Sequence, residues 1–360
     1  MKVMLTGAHF TPTVATIEEL KKYPSVEVVY VGRQTTQEGD STASWESFQL
    51  PKLRIKFIPI ITGRLQREFT IYTIPSLLKI PIGLLQSFYI ILKEKPDIIV
   101  SFGGYVAVPV VAVGWLFSIP IIVHEQTLVS GLANKISSFF ADKIAVSFKQ
   151  RQLGQKVVVT GNPIRREILE VKRRKSYTKM PVVLISGGNQ GSHLLNTVVE
   201  QSLDKLTKIA DIVHLTGDSK FHDFERLQKR QKDHYLVKKW AGKEWGEYLS
   251  KADLVICRAG INTLTELAYL MVPALVIPIP YLYQDEQNIN AKFFATAGLV
   301  QILPQSKLSA NTLLKSVDTM LKDLSHLKDK AREAKKVVNA DAAKRLALEI
   351  YIYANQNSNH

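Results

Sequence analysis

Residues 98–123 read IIVSFGGYVAVPVVAVGWLFSIPIIV and carry no charged side chain. By length alone this stretch could cross a bilayer as one helix. Its glycines and prolines argue against that interpretation, because they divide it into a β-rich piece, a Gly-Gly turn, a helical piece and a second β-rich piece. Strands covered by helices on both faces are continuously apolar, so the pattern predicts a β-α-β unit inside a parallel sheet.

The same alternation of short apolar strand, glycine turn and helix recurs along the chain. Further strands are predicted in KVMLTG, VEVVYVG, KIAVSF, PVVLISGG, DIVHLTG, DLVICRAG and PALVIPI. Strands that alternate with helices favour an open, mostly parallel α/β sheet. The units that begin at Val3 and Val182 each pass through glycine into a helix. We therefore predict an α/β protein with two Rossmann-like domains.

Domain boundaries follow from turn residues and charge. Gly161, Pro163 and the basic run at 172–175 separate the last strand of the first half from the first strand of the second. We predict domains at 1–163 and 164–340, with 341–360 as the end of a C-terminal helix and a tail. Residues 327–354 mix charged and apolar residues at helical spacing and predict one long helix.

Composition limits the class of protein. The chain has 360 residues, of which 46% are hydrophobic and 22% charged, which fits a globular protein and excludes general disorder. A formal charge of +15 favours anionic partners such as phosphates, nucleic acid or an acidic membrane surface. The single cysteine, Cys257, and a start without signal-peptide features predict a cytoplasmic protein. The eight histidines show no metal-like spacing, so we expect no structural metal.

The first glycine turn, TGAHFTP, places Thr6, Gly7, Ala8 and His9 before a helix expected to be capped by Thr11 with Pro12 at its first position. Backbone amides and the positive end of the helix macrodipole at such a turn can bind a diphosphate. His9 could accept a proton from a hydroxyl. A turn that serves packing only, with His9 as a capping or surface residue, is the alternative.

The second glycine turn, ISGGNQGSHLLN, is a stronger phosphate-binding pattern. Its glycines fall as GGxxG without a following GK[ST], so it is neither a Walker A loop nor a dinucleotide fingerprint. The second strand of the first half ends at Arg33, where an NAD-binding fold needs an acidic residue. The sequence therefore disfavours a nicotinamide-dependent oxidoreductase.

Other candidate residues follow strands in both halves. CRAGINTLTELA places Glu266 near a helix start, where it could complement the dipole or accept hydrogen bonds from a ribose. In PYLYQDEQNINA, the polar residues around Gln287 could line a sugar pocket or face water. In the first half, loops at strand ends should face the same crevice as His9. His124 and Glu125 are there either acid–base groups or a satisfied structural pair.

Residues 69–92, FTIYTIPSLLKIPIGLLQSFYIIL, are apolar apart from Lys79 and are flanked by Arg64, Arg67, Lys93 and Lys95. Pro75, Pro81 and Gly83 argue against a single membrane-spanning helix. We predict an exposed apolar patch, ringed by basic residues, that lies on an anionic membrane surface. The alternative is a core helix of the first domain.

Seven segments, taken in order, carry a family resemblance. TGAHFTPTVA, FGGYVAVP, VHEQ, VTGNPIR, ISGGNQGSHLLN, CRAGINTLTELA and DEQNINAKFFATAG resemble the MurG family of peptidoglycan glycosyltransferases. The resemblance implies the GT-B fold, in which two Rossmann-like domains face a cleft. It places the donor nucleotide in the second half, a lipid-linked acceptor in the first, and transfer in the cleft between them. It implies inverting transfer of N-acetylglucosamine from UDP-N-acetylglucosamine to the 4-hydroxyl of undecaprenyl-diphosphate-linked N-acetylmuramyl-pentapeptide. It also implies a peripheral protein on the cytoplasmic face of the cell membrane, with other cell-wall enzymes and no nucleic acid as partners.

The resemblance also suggests roles for individual residues. It implies that the diphosphate binds Gly188, Asn189, Gln190 and Gly191, that Arg165 contacts the donor, that Thr263 and Glu266 bind the ribose, and that Gln287 touches the sugar. We add Thr6, Gly7, Ala8, Thr127, Leu264 and Thr265 to the donor set. We assign Gly103, Gly104, Tyr105, His124 and Gln126 to the acceptor. His9 is the leading candidate base and Glu125 the second.

Departures from the family pattern bear on substrate contacts. Ala8 stands where a second glycine is usual, Thr127 replaces Asn, Asn189 replaces Ser, and Glu286 replaces Gln or His. Without an Asp-x-Asp pair, helix amides and Arg165 would stabilise the leaving diphosphate, so we expect no obligatory metal. The alternatives are a transferase with another lipid acceptor, an epimerase that consumes UDP-N-acetylglucosamine alone, and an inactive membrane-bound scaffold. A nucleic-acid binder lacks a supporting motif.

Overall fold

The computed structural model describes residues 1–35, 44–63, 73–149, 154–172 and 180–357. The chain forms two compact units, Met1–Arg165 together with Asn339–His360, and Arg166–Val338. Each unit contains one parallel β-sheet with helices. The prediction of two Rossmann-like α/β domains is confirmed.

The first unit contains a seven-stranded sheet in its described part. Its strands are β1 (Lys2–Gly7), β2 (Glu27–Gly32), β3 (Lys56–Pro59), β4 (Ile98–Phe102), β5 (Ile121–Glu125), β6 (Lys143–Val146) and β7 (Val157–Val159). Helices that precede the second unit are α1 (Phe10–Leu20), α2 (Trp45–Gln49), α3 (Thr73–Glu94), α4 (Ala107–Leu116) and α5 (Leu132–Phe140). The strand order is β3-β2-β1-β4-β5-β6-β7, and every pair is parallel.

The charge-free stretch at 98–123 forms β4, α4 and the start of β5, as predicted. Side chains alternate between the two faces of a strand, so Val3 and Leu5 of β1 enter one apolar core while Met4 enters the other. Both faces of the central strands are thereby removed from water. Each fully buried aliphatic side chain contributes about 1.5–3 kcal/mol to stability, which explains the absence of charge in this stretch.

The second unit contains a six-stranded sheet in its described part, with the order β10-β9-β8-β11-β12-β13 and parallel pairing throughout. Its strands are β8 (Val182–Ser186), β9 (Asp211–Leu215), β10 (Tyr235–Lys238), β11 (Leu254–Cys257), β12 (Ala274–Val276) and β13 (Val300–Ile302). Its helices are α6 (Arg166–Glu170), α7 (His193–Leu206), α8 (Asp223–Gln228), α9 (Trp245–Lys251), α10 (Ile261–Leu270), α11 (Glu286–Thr296), α12 (Ala310–Lys322) and α13 (Leu324–Ala334).

The prediction of one C-terminal helix over 327–354 is wrong. The segment is divided between α13 and a separate helix, α14 (Ala342–Asn357). Asn339 lies in the break, where its amide nitrogen donates to the Thr160 carbonyl at 3.2 Å and its side-chain oxygen accepts from the Asp341 amide at 2.9 Å. The second unit ends at Val338, and α14 packs into the core of the first unit through Leu346 and Ile350 instead of forming a tail.

The apolar segment predicted at 69–92 corresponds to α3 from Thr73 onward. Residues 69–72, Arg64, Arg67 and the basic residues 173–175 lie outside the described parts of the chain. Pro81 lies within α3. Across the described residues, no helix combines the length and the apolar character required to span a bilayer.

Candidate active site

The carboxyl ends of β1, β4 and β5 meet at one edge of the first sheet. The register places Gly7 beside Phe102, and Ser101 beside Val123. The loops that follow these strands carry most of the predicted first-half residues: Ala8 and His9 after β1; Gly103, Gly104 and Tyr105 after β4; Gln126 and Thr127 after β5. Thr6 lies within β1 and its side chain is fully buried.

Ala8 and Gly104 account for the local shape of this edge. Gly104 has a φ of +83°, and a Cβ atom built on it would lie 2.7 Å from the Ala8 Cβ. The Ala8 methyl group therefore packs close to the Gly104 backbone, and it fits there because Gly104 has no side chain. The departure from the family's glycine at position 8 is thus compatible with the turn.

The helix α1 begins at Phe10 with His9 as its N-cap, so the predicted cap at Thr11 is wrong. The His9 carbonyl accepts hydrogen bonds from the Thr13 hydroxyl at 2.8 Å and the Thr13 amide at 3.3 Å, which places the first turn earlier. The half-buried ring has a pKa lowered to about 4 by burial and then by repulsion from His124 and Arg33. His9 is therefore neutral at pH 7 and can accept a proton.

His124 is fully buried, and its Nε2 atom lies 3.3 Å from the Gly161 carbonyl. A carbonyl only accepts, so Nε2 carries the hydrogen. Burial lowers the pKa of His124 to about 4, although the bond to Gly161 acts in the opposite direction. The ring is therefore neutral at pH 7 and sits beneath the surface, so it supports the edge more than it offers a contact to an acceptor.

Glu125 is 3% exposed and organises the loop after β5. One carboxylate oxygen accepts from the Thr127 amide at 3.1 Å and the Thr127 hydroxyl at 2.8 Å, and the other accepts from the Asn134 amide nitrogen at 2.8 Å. Both oxygens thus bind protein donors. This geometry favours the structural alternative for Glu125 over the role of second candidate base. Asn134 was not predicted, although its spacing on α5 brings it back to the strand end.

Tyr105 also has a partner that the sequence did not reveal. Its hydroxyl accepts from Arg33 Nη1 at 3.2 Å. Gln126, in contrast, is almost fully buried. At the first-half edge His9 and Tyr105 are therefore half-buried, with Arg33 bonded to Tyr105, whereas His124, Glu125 and Gln126 are buried.

The GGxxG turn of the second unit connects β8 to the 14-residue helix α7. Residues 188–190 are exposed, and Ser192 caps the helix by accepting from the Leu195 amide. Gly191 has a φ of +73°, and a Cβ atom there would lie 2.2 Å from the Thr216 carbonyl oxygen. The turn thus presents bare backbone at a helix N-terminus, an arrangement suited to a diphosphate.

Arg258 lies beside this turn, although the local sequence pattern did not indicate a role for it in the donor site. Its Nη2 atom donates to the Ser192 hydroxyl at 2.7 Å and its Nη1 atom to the Ile277 carbonyl at 2.9 Å. Burial lowers the pKa of Arg258, but a guanidinium remains charged at neutral pH. The turn therefore has a fixed positive charge next to its helix cap.

Glu266 lies in the second turn of α10, so it does not complement the dipole from the first turn as one alternative required. It is 3% exposed, and its Oε2 atom accepts from the indole Nε1 of Trp245 at 2.7 Å. Leu264 and Thr265 are buried, and the Thr265 hydroxyl donates to the Ile261 carbonyl. Thr263, in contrast, is half-buried.

The remaining predicted donor residues are in different settings. Gln287 is half-buried, and its side-chain oxygen accepts from the Ile279 amide at 3.0 Å, which fixes the loop after β12. Glu286 is the first residue of α11. Arg165 is half-buried and is the last residue of the first unit's N-terminal segment.

Family models match both units. The glycosyltransferase family 28 N-terminal domain matches residues 6–146, and the glycosyltransferase family 28 C-terminal domain matches residues 182–346. The chain belongs to glycosyltransferase family 28. Two family 28 relatives carry the name UDP-N-acetylglucosamine–N-acetylmuramyl-(pentapeptide) pyrophosphoryl-undecaprenol N-acetylglucosamine transferase. The protein of Clostridium botulinum (strain 657 / Type Ba4) is 34% identical over 88% of this chain and 90% of its own length. The Bacillus anthracis protein, named as transferase 2, is 33% identical over 95% and 96%.

Solved structures agree with the family 28 assignment. The crystal structure of Acinetobacter baumannii MurG aligns with a TM-score of 0.73 and 26% identity over 98% of this chain and 99% of that chain. CalG4, the calicheamicin glycosyltransferase, aligns with a TM-score of 0.72 at 11% identity over 98% of both chains, which supports the fold alone. The predicted resemblance to the MurG family and the predicted GT-B fold class are confirmed.

Proposed function

We propose that this chain transfers N-acetylglucosamine from UDP-N-acetylglucosamine to undecaprenyl-diphosphate-linked N-acetylmuramyl-pentapeptide. The proposal rests mainly on the relatives that bear this activity in their names and align along about nine-tenths of the chain. The exposed turn at 188–190, at the N-terminus of α7, supports it because the turn suits the diphosphate of such a donor.

In this proposal the second unit binds the donor. The backbone of the turn and the Arg258 guanidinium stabilise the diphosphate, while the Glu266 carboxylate accepts hydrogen bonds from the ribose hydroxyls. Gln287 contacts the sugar, since its side chain lies at the loop after β12. Arg165 adds positive charge toward the donor. Each of these proposed donor contacts uses the backbone of the turn or a polar or charged side chain.

The first unit supplies the base. The acceptor hydroxyl oxygen forms a bond to the anomeric carbon as the bond from that carbon to UDP breaks, which inverts the configuration. The hydroxyl proton passes to His9, and the electron pair of the broken bond leaves with UDP. His9 suits this step because its pKa of about 4 keeps the ring neutral. Glu125 holds the loop of 125–134 in place through Thr127 and Asn134.

An apolar surface of the first unit supports peripheral binding to the cytoplasmic face of the membrane. Its exposed residues lie on α3, on α4 and on α5: Leu78, Ile82, Leu85, Phe88, Tyr89, Leu92, Trp115, Leu116 and Phe139. Aromatic contacts connect the helices, since the Trp115 and Phe140 rings lie 5.4 Å apart. Lys79, Lys93 and Lys135 lie on the same helices. Such a patch suits an anionic lipid surface that carries the acceptor.

The reaction can be tested with radiolabelled UDP-N-acetylglucosamine and the lipid-linked N-acetylmuramyl-pentapeptide. We expect label to enter the lipid fraction in a 1:1 ratio with released UDP. Parallel reactions contain diacylglycerol or no acceptor. Transfer to diacylglycerol alone would indicate another lipid acceptor, and donor consumption without any acceptor would indicate an epimerase; either result contradicts the proposal.

The membrane surface has its own test. Replacing Leu85 and Phe139 together by serine should weaken binding to vesicles of anionic phospholipid at least tenfold, because each buried apolar side chain contributes about 1.5–3 kcal/mol. Vesicle co-sedimentation measures the effect, and activity on a water-soluble acceptor analogue should stay unchanged. Leu348→Ser, which changes an exposed residue of α14 outside this surface, is the control. Undiminished sedimentation of the double variant would rule out this surface.

A further inference from the structure

Trp245 and Glu266 form a hydrogen bond that the proposed donor site does not by itself require. The indole Nε1 atom donates to Oε2 of the carboxylate at 2.7 Å, and the carboxylate is 3% exposed. We propose that Trp245 is a positioning residue that orients the Glu266 carboxylate toward the donor ribose. This inference rests on the proposed function, because it assigns a role within the same donor site.

Both partners stand on packed helices. Trp245 is the first residue of α9, whose Leu249 is fully buried. The next residue, Gly246, lies so close to α6 that a Cβ atom there would approach the Glu167 carbonyl oxygen to 3.0 Å. On α10, Leu264 and Leu267 are fully buried. The indole therefore reaches the carboxylate from a backbone held in place by its own contacts.

Glu244, the residue before Trp245, also helps to hold the start of α9 in place. The Glu244 carboxylate accepts from Lys238 Nζ at 2.7 Å and from the Tyr248 hydroxyl at 3.3 Å. These contacts connect β10 to α9 across the turn that leads into Trp245. Exposed ion pairs contribute little to stability, but they can restrict the geometry of a turn.

The chemistry of the bond suits a positioning role. An indole N–H can only donate, whereas a carboxylate has about four sites that accept hydrogen bonds. The terminal torsion of a glutamate is broad, and each hydrogen bond to the carboxylate narrows the range of orientations it samples. A charge-assisted bond to Oε2 selects one of them and reduces the entropy lost when two ribose hydroxyls bind.

An indole that blocks the ribose position would have the opposite effect on UDP binding. If the indole occupied the place of the ribose, it would have to leave Glu266 before the donor could bind, and removing its N–H would tighten binding. In a positioning role the bond persists in the complex, and removing the N–H weakens binding. Trp245→Phe separates the two cases, since it retains an aromatic ring but no donor.

The test compares UDP with 2′-deoxy-UDP by isothermal titration calorimetry. We expect Trp245→Phe to weaken UDP binding roughly fivefold to tenfold, less than the direct loss of a hydrogen bond to a charged group, because the indole acts on UDP only through Glu266. Binding of 2′-deoxy-UDP should weaken less, so the preference for UDP falls. Trp240→Phe is the matched control, because that indole donates to the Asn189 carbonyl in the diphosphate turn at 3.0 Å. It should leave the preference unchanged.

A second measurement uses the wild-type protein. The indole ¹H–¹⁵N signal of Trp245 can be assigned by elimination with phenylalanine variants of the other tryptophans, even if Trp245→Phe does not fold. A signal that stays downfield and protected from exchange after UDP addition supports the positioning role. An upfield shift with loss of protection, tighter UDP binding by Trp245→Phe, or an unchanged nucleotide preference would overturn it. A wild-type protein that binds neither nucleotide would instead refute the proposed function.

Discussion

Replacing His9 with alanine is expected to lower turnover about a hundredfold while UDP binding stays nearly unchanged. His9 is the N-cap of α1 at the edge of the first sheet, whereas the proposed UDP contacts other than Arg165 lie in the second unit. The variant removes only the group that accepts the proton. Steady-state assays of transfer and calorimetric titration with UDP measure the two effects separately.

The His9 prediction is checked against a control variant at a second histidine. His326→Ala changes an exposed histidine of α13 and should leave both quantities unaltered. If His9→Ala turns over like the parent, His9 is not the base. If it loses UDP binding as well, the first-unit edge contributes to the donor site.

The pH dependence follows from the environment of His9. A base acts in its neutral form, and the His9 pKa is lowered from 6.5 to about 4, chiefly by burial. The rate should therefore hold steady as the pH falls through 6.5 and decline only toward pH 4. A decline centred near 6.5 would show that the ring has an ordinary environment.

Three histidines limit how far that assay can be extended to acid pH. His9 and His124 have pKa values of about 4, and His214 of about 3, because burial disfavours the charged ring. Between these values and 6.5 the unfolded chain binds protons that the folded chain does not. The free energy of unfolding therefore falls as the pH drops through that window, so circular dichroism should accompany the rates.

Glu266→Ala is expected to weaken UDP binding about a hundredfold, because two hydrogen bonds to a charged group contribute about 3 kcal/mol together. Glu266→Gln should lie between the variant and the parent, since an amide keeps one acceptor oxygen. Calorimetric titration with UDP is the measurement. Glu247→Ala, which changes an exposed carboxylate of α9 paired with Lys251, is the control. Parental UDP affinity in Glu266→Ala would refute the ribose assignment.

The central strands could be predicted from the sequence because burial on both faces requires continuous apolar runs. The strands β3, β7, β10 and β13 were not predicted. They lie at the edges of their sheets, where pairing on one side only permits short segments with exposed residues, such as KFIP in β3. The helix break at Asn339 combines a local bond from the Asp341 amide with a bond to Thr160, which lies 179 residues earlier. The local pattern does not contain the second of these.

Some residues of the candidate site could likewise be predicted from the sequence, and others could not. Glycine turns and His9 could be recognised because their chemistry is local to one strand end. Asn134, Arg258 and Trp245 could not, because each acquires its role from a residue brought close by the fold. Arg258 bonds to Ser192 across 66 residues, and Trp245 to Glu266 across 21. The departures at Thr127 and Ala8 have structural explanations in Glu125 and Gly104.

The return of α14 to the first unit affects the order in which the nascent protein can mature. On the ribosome, residues 1–165 emerge first, yet their apolar core lacks Leu346, Ala347 and Ile350 until α14 has emerged. By then residues 166–338, which form a compact unit from one continuous segment, have already emerged. The unit synthesised second can therefore be completed first, and the core of the first unit keeps exposed apolar surface until α14 is synthesised.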